Sequence, residues 1–166
     1  MYYSIEQAAY TTKNMDTKFQ YAQDPGRYPI LMAEDNPDDV LITKRAWKKG
    51  HIKNRLYIVY NGEEALEFLY KQGAHVNAPT PSLMLLDLKM PRVDGFEVLK
   101  TIKQDPRLKK IPVIVLTTSN REKDIQLAYD LGCNSYIVKP VGYENFLKAV
   151  VDIQRYWIIL NEIPYK

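Results

Sequence analysis

Leu83-Met84-Leu85-Leu86-Asp87-Leu88-Lys89-Met90-Pro91 is the stretch that decides the fold. Its first four residues are aliphatic without polar alternation, the mark of a strand buried on both faces, since a strand with one wet face alternates. A carboxylate then follows at once. Working outward, similar apolar runs occupy residues 29–33, 56–60, 113–116 and 136–138. Amphipathic segments separate them. The first opens on Pro37-Asp38-Asp39 and closes on Lys48-Lys49-Gly50, which suits the two ends of a helix dipole. The others carry apolar stripes: Ala65, Leu66 and Leu69; Val98, Leu99 and Ile102; Leu127, Ala128 and Leu131; Phe146, Ala149, Val150, Ile153 and Trp157. Five strands alternating with five helices predict an α/β fold, a doubly wound five-stranded parallel sheet with helices on both faces. Such sheets bind ligands outside the carboxyl ends of their strands, so function belongs at the strand ends.

A length of 166 residues fits one domain. Residues 1–27 place Tyr2, Tyr3, Tyr10 and Tyr21 among polar residues without periodicity and are expected to be a flexible or loosely docked extension, with residues 28–160 as the domain and 161–166 as a tail. The 23 basic and 20 acidic residues are scattered, and the net charge of +3 is too small to imply nucleic acid. No apolar run reaches the roughly 18 to 20 residues that cross a bilayer, so a soluble, cytoplasmic protein without membrane contact is expected. Cys133 is the only cysteine, which excludes an intrachain disulfide and a cysteine-built metal site.

Four of the five apolar runs end on a polar group: Glu34-Asp35, Asp87, Thr117 and Lys139. One such ending is ordinary, because loops are polar. Four imply convergence on one site. Glu34, Asp35 and Asp87 in one cleft would repel each other unless a cation neutralised them, and an oxygen-only set without His or Cys selects a hard ion such as Mg²⁺. Asp35 is the expected principal metal carboxylate, with Glu34 acting mainly through water. Phosphoryl transfer needs an in-line nucleophile and counter-charges on the phosphoryl oxygens. Asp87 suits the nucleophile; the metal ion, Lys139 and the Thr117 hydroxyl suit the three oxygens.

Glu34-Asp35-Asn36, Leu86-Asp87-Leu88-Lys89-Met90-Pro91, Asp94-Gly95, Leu116-Thr117-Thr118-Ser119 and Tyr136-Ile137-Val138-Lys139-Pro140 together resemble the receiver domain of two-component response regulators. Asn36-Pro37-Asp38-Asp39, the segment 72–81 and Tyr156-Trp157 narrow the resemblance to stand-alone regulators that accompany phytochrome-type kinases. The resemblance implies a flavodoxin-like fold, a sensor histidine kinase as partner, and Asp87 as phosphoacceptor. It also implies Mg²⁺ on Asp35, Asp87 and the backbone carbonyl of Lys89, a Thr117–Tyr136 switch pair, and a cis Lys139–Pro140 bond. No chemistry beyond the chain's own phosphorylation and dephosphorylation is expected. A degenerate receiver acting only as a binding module is the alternative. An aspartyl phosphatase fits less well, because such enzymes want a second Asp where Lys89 stands.

The fifth helix is more apolar than one buried face needs, carrying Leu147, Val151 and the run Tyr156-Trp157-Ile158-Ile159-Leu160 beside its core stripe. Ile125 and Tyr129 add an apolar pair on the fourth. Packing within the chain would explain them; a symmetric homodimer through the fourth helix, fifth strand and fifth helix is the preferred expectation, with Ile125, Tyr129, Val151, Tyr156, Trp157 and Ile158 at the interface.

Overall fold

The computed structural model describes residues 28–49 and 53–160, apart from the side chains of Gln154, Ile158, Ile159 and Leu160. The expected extension, the tail, and Gly50 at the end of the first helix lie outside the described residues. Five strands form one sheet in the order β2-β1-β3-β4-β5, every neighbouring pair parallel: β1 Ile30–Ala33, β2 Leu56–Val59, β3 Leu83–Leu86, β4 Val113–Thr117 and β5 Ser135–Val138. The helices are α1 Pro37–Lys49, α2 Gly62–Tyr70, α3 Gly95–Gln104, α4 Glu122–Asp130 and α5 Tyr143–Gln154, the last running on as a π-helical coil, Arg155–Leu160. The chain is thus the doubly wound α/β fold that the alternation of runs predicts.

Period-2 geometry divides the core. Leu31, Ala33, Met84, Leu86, Val113 and Val115 face one way and meet Phe68 and Leu69 of α2, Val98, Leu99 and Ile102 of α3, and Ala128 of α4. Ile30, Met32, Leu83, Leu85, Ile114 and Leu116 face the other way and meet Ala46 and Trp47 of α1 with Phe146, Leu147, Val150 and Ile153 of α5. Both layers are dry because each central strand has a helix above and below. Local chemistry starts the helices where they are needed: the Asn61 side chain accepts from the Glu64 amide at the head of α2, and Asp94 accepts from the Glu97 amide at the head of α3.

Some sequence expectations change. Leu127 stands 44% exposed, while Asp124 is buried in its place beside Ala128. The helical pattern assumes that the apolar face turns inward, whereas Asp124 turns inward because a serine hydroxyl and a guanidinium await it there. Leu147 is buried in the core and Val151 packs half-buried against it, so part of the surplus apolar face of α5 serves this chain's own interior. The run 156–160 follows a π coil rather than an α-helix.

Candidate functional site

Strand order reverses direction at β1: the chain passes outward to β2 on one side and then back across to β3 on the other, so the parallel strands β1 and β3 bring their carboxyl ends side by side. Backbone bonds fix both ends, the Asp87 amide donating to the Ala33 carbonyl and the Glu34 amide to the Val59 carbonyl, each at 3.0 Å. Acidic oxygens of Glu34, Asp35 and Asp87 therefore lie within 4.8 Å of one another. Glu34 and Asp87 are buried; Asp35 is exposed at the mouth. Thr117, the last residue of β4, is fully buried, and its carbonyl accepts from the Lys139 amide at 2.7 Å just beyond β5. The Lys139 ammonium returns over the strand ends to Glu34 Oε2 at 2.6 Å, Asp39 Oδ2 at 2.8 Å and Asp87 Oδ2 at 3.5 Å. Asp87 Oδ1 is engaged by the Leu88 amide at 2.7 Å, which leaves Oδ2 as the less encumbered oxygen.

Electrostatics follow from burial. Removal from water pushes the Glu34 carboxyl up to about 7, against the opposing pull of Lys139. Burial would lower Lys139, but the carboxylates around it outweigh that and hold its ammonium above the ordinary lysine range, Glu34 and Asp87 most strongly. One ammonium faces four carboxylates, and Asp35 has no ion pair with it. The cluster retains uncompensated negative charge. Its donors are hard carboxylate oxygens without His or Cys in the set, so the site fits a divalent cation of the Mg²⁺ or Mn²⁺ type.

The family model of the response regulator receiver domain matches residues 30–151. This chain belongs to the response regulator receiver family. Response regulator Rcp1 of Synechocystis sp. is 41% identical to this receiver over 135 residues, 81% of this chain and 92% of that protein. The crystal structure of the Mn²⁺-bound form of Rcp1 superposes with a TM-score of 0.80 at 40% identity, covering 83% of this chain and 99% of that one. That of the phosphorylated cyanobacterial phytochrome response regulator RcpA gives the same TM-score at 38% identity, again over 83% and 99%. A role in two-component signalling follows from this membership, and the receiver resembles phytochrome response regulators over most of its length.

Among the predicted strand-end residues the structure brings Glu34, Asp35, Asp87 and Lys139 together; the Thr117 hydroxyl instead accepts from the Ser119 amide at 3.5 Å, and Lys89 is exposed on the loop after Asp87. The Lys139–Pro140 bond is trans, contrary to what the resemblance implies, and the ammonium reaches the site all the same. Tyr136 is half-buried on β5 and its hydroxyl donates to the Ser119 carbonyl at 2.9 Å, tying β5 to the loop that follows Thr117. In that loop the Ser119 hydroxyl donates to Asp124 Oδ2 at 2.5 Å and the Arg121 guanidinium to the same oxygen at 2.8 Å. Ser119 and Arg121 hold the Asp124 carboxyl below the usual carboxylate range. Sequence reasoning missed Ser119, Asp124 and Asp39. Asp39 was legible only as a helix-end charge, although it stands in the first turn directly after the carboxylates of β1.

Proposed function

We propose that this receiver accepts a phosphoryl group on Asp87 from the phosphohistidine of a sensor kinase, and signals by a conformational switch read through protein contacts. The observation that carries the reading is Asp87 Oδ2, buried yet not saturated, between an ammonium at 3.5 Å and two further carboxylates that want a cation. An Asp87 oxygen attacks phosphorus, the P–N bond breaks, and the imidazole leaves with the bonding pair. Mg²⁺ suits the donor set: Asp35, Asp87 and the Lys89 carbonyl would hold it, with Glu34 acting through water, and when bound it supplies positive charge against the phosphoryl oxygens. Lys139 would pair with one of those oxygens and the Thr117 hydroxyl with another. Thr117 and Tyr136 form the switch pair, because a shift of Thr117 pulls on the loop that the Tyr136 hydroxyl grips. The similarity to a phosphorylated phytochrome response regulator supports a cytoplasmic, phytochrome-type histidine kinase as partner. Apart from forming and losing its own acyl phosphate, the chain performs no turnover in this reading.

Acetyl phosphate with Mg²⁺ is expected to add the mass of one phosphoryl group per chain. EDTA should prevent the gain and restored Mg²⁺ should return it. A mass gain indifferent to EDTA, or none at all with Mg²⁺ present, would defeat the reading.

For the output surface we favour a homodimer through α4, β5 and α5. Tyr129 and Tyr156 are 49% and 55% exposed, and a cleft of about 540 Å³ between β5 and α5 is lined by Ile137, Ile153, Tyr156 and Trp157 among others. β5 is an edge strand, so nothing else in the sheet covers that side. Ile125 and Val151 are half-buried, and Trp157 packs in part against the α1–α5 core, so they contribute less than the sequence pattern implies. The side chain of Ile158 lies outside the described residues. Sedimentation equilibrium should show a dimer for the wild type and a weakening of about tenfold or more for Tyr156→Glu, a charge placed in an apolar contact; identical association of the two would exclude this face.

A further inference from the structure

We infer that Asp39 is a positioning residue: it holds the Lys139 ammonium off Asp87, keeping Asp87 Oδ2 open to a divalent cation and to phosphorus. The inference rests on the phosphoacceptor reading of Asp87. An ammonium has three donors. Here two of them are spent at short range, on Glu34 at 2.6 Å and Asp39 at 2.8 Å, while the contact to the acceptor is the long one at 3.5 Å. Asp39 lies outside the carboxylate set that suits a metal, which comprises Glu34, Asp35 and Asp87. It therefore competes for the lysine without competing for the cation. A lysine freed from Asp39 would have only Glu34 and Asp87 to satisfy a buried ammonium, and would close on the Asp87 oxygen that the cation and the phosphorus atom both need. In phosphorylation by acetyl phosphate that oxygen forms the new P–O bond, the bond from phosphorus to the acetate oxygen breaks, and acetate leaves with the electron pair.

The plain structural role for Asp39 is as a negative charge in the first turn of α1, where it meets the helix dipole. Asp38 shares that turn, is exposed, and makes no contact with Lys139, so it isolates the helix-end contribution. Mn²⁺ is the probe, with its dissociation constant read from the free-ion paramagnetic resonance signal and no phosphate present. Asp39→Asn is expected to raise that constant about three- to tenfold, from one displaced unit charge interaction at effective protein dielectric. Asp38→Asn should stay within about twofold of wild type, and Asp39→Glu should recover most of the loss. Asp39→Ser serves as a second variant that cannot reach Lys139, should the new amide hydrogen-bond it. In a Lys139→Ala background the Asp39→Asn effect should shrink to about that of Asp38→Asn, because the coupling runs through the lysine. Equal constants for Asp39→Asn and Asp38→Asn, or an Asp39 effect undiminished without Lys139, would overturn the inference. A wild-type chain that binds Mn²⁺ with this pattern yet takes no phosphate from acetyl phosphate would overturn the phosphoacceptor reading instead, leaving the positioning of Lys139 established.

Discussion

Asp87→Asn is expected to reduce phosphate uptake from acetyl phosphate by at least about 100-fold, to the background of the assay, because an amide oxygen does not attack phosphorus to give a stable acyl phosphate. The substitution is isosteric, and an Asn oxygen still accepts the Leu88 amide that Asp87 Oδ1 accepts at 2.7 Å. Glu34 and Asp39 still hold Lys139 at 2.6 and 2.8 Å, so the buried ammonium keeps partners. Folding should therefore survive while uptake is lost. Intact mass after incubation, set beside the thermal midpoint of the same sample, separates the two. Uptake persisting at the wild-type level would move the acceptor elsewhere, to the Thr117 or Ser119 hydroxyl.

Gly95→Ala is expected to destabilise the receiver by about 3 kcal/mol, lowering its melting temperature on the order of 10 °C. A Cβ on Gly95 would stand 2.2 Å from the Asp87 carbonyl oxygen and 2.6 Å from Leu88 Cα. Both obstacles are backbone, so no side chain can swing aside. The same close approach lets the Gly95 amide donate to the Leu88 carbonyl at 2.9 Å, which seats the start of α3 against the loop that carries the acceptor. Relief of the clash must move either α3 or the Asp87 peptide, and phosphate uptake should fall along with stability. Gly132→Ala offers the contrast. Its φ of +94° strains any side chain, but the nearest atoms to its Cβ are on the flexible Lys103 side chain at 3.5 Å or more, and a cost of about 1 kcal/mol without effect on uptake is expected. Calorimetry of both variants decides the matter. A Gly95→Ala midpoint matching the wild type would mean that α3 does not press on the acceptor loop.

The sheet was legible because parallel strands buried on both faces write themselves as unbroken apolar runs. β3 begins and ends where Leu83-Met84-Leu85-Leu86 does. At the margins the pattern blurs, since backbone pairing ignores side-chain polarity: Thr117 belongs to β4 because it pairs with Val138, and Ser135 belongs to β5 because it pairs with Ile114. The meeting of Glu34, Asp35, Asp87 and Lys139 was readable for a similar reason, as parallel strands deliver their carboxyl ends to one side. What was not readable depended on partners distant in sequence. The inward turn of Asp124 needs the Ser119 hydroxyl and the Arg121 guanidinium at the right angle. The hold of Asp39 on Lys139 joins residues 100 positions apart. The burial of Leu147 depends on how closely α1 and α5 pack over the sheet. Family resemblance contributed the expectation of a switch pair and of a kinase partner, and it also contributed a cis proline that the structure does not have.

Hydroxylamine trapping of the phosphorylated chain tests the central assignment most directly. An acyl phosphate is attacked at its carbonyl carbon, releasing phosphate and leaving a hydroxamate, whereas a phosphate ester on Ser, Thr or Tyr is not. Peptide mapping should place a single hydroxamate at Asp87, with phosphate released in equal amount. Phosphate that survives hydroxylamine, or a hydroxamate at Glu34, Asp35 or Asp39 instead, would contradict the account.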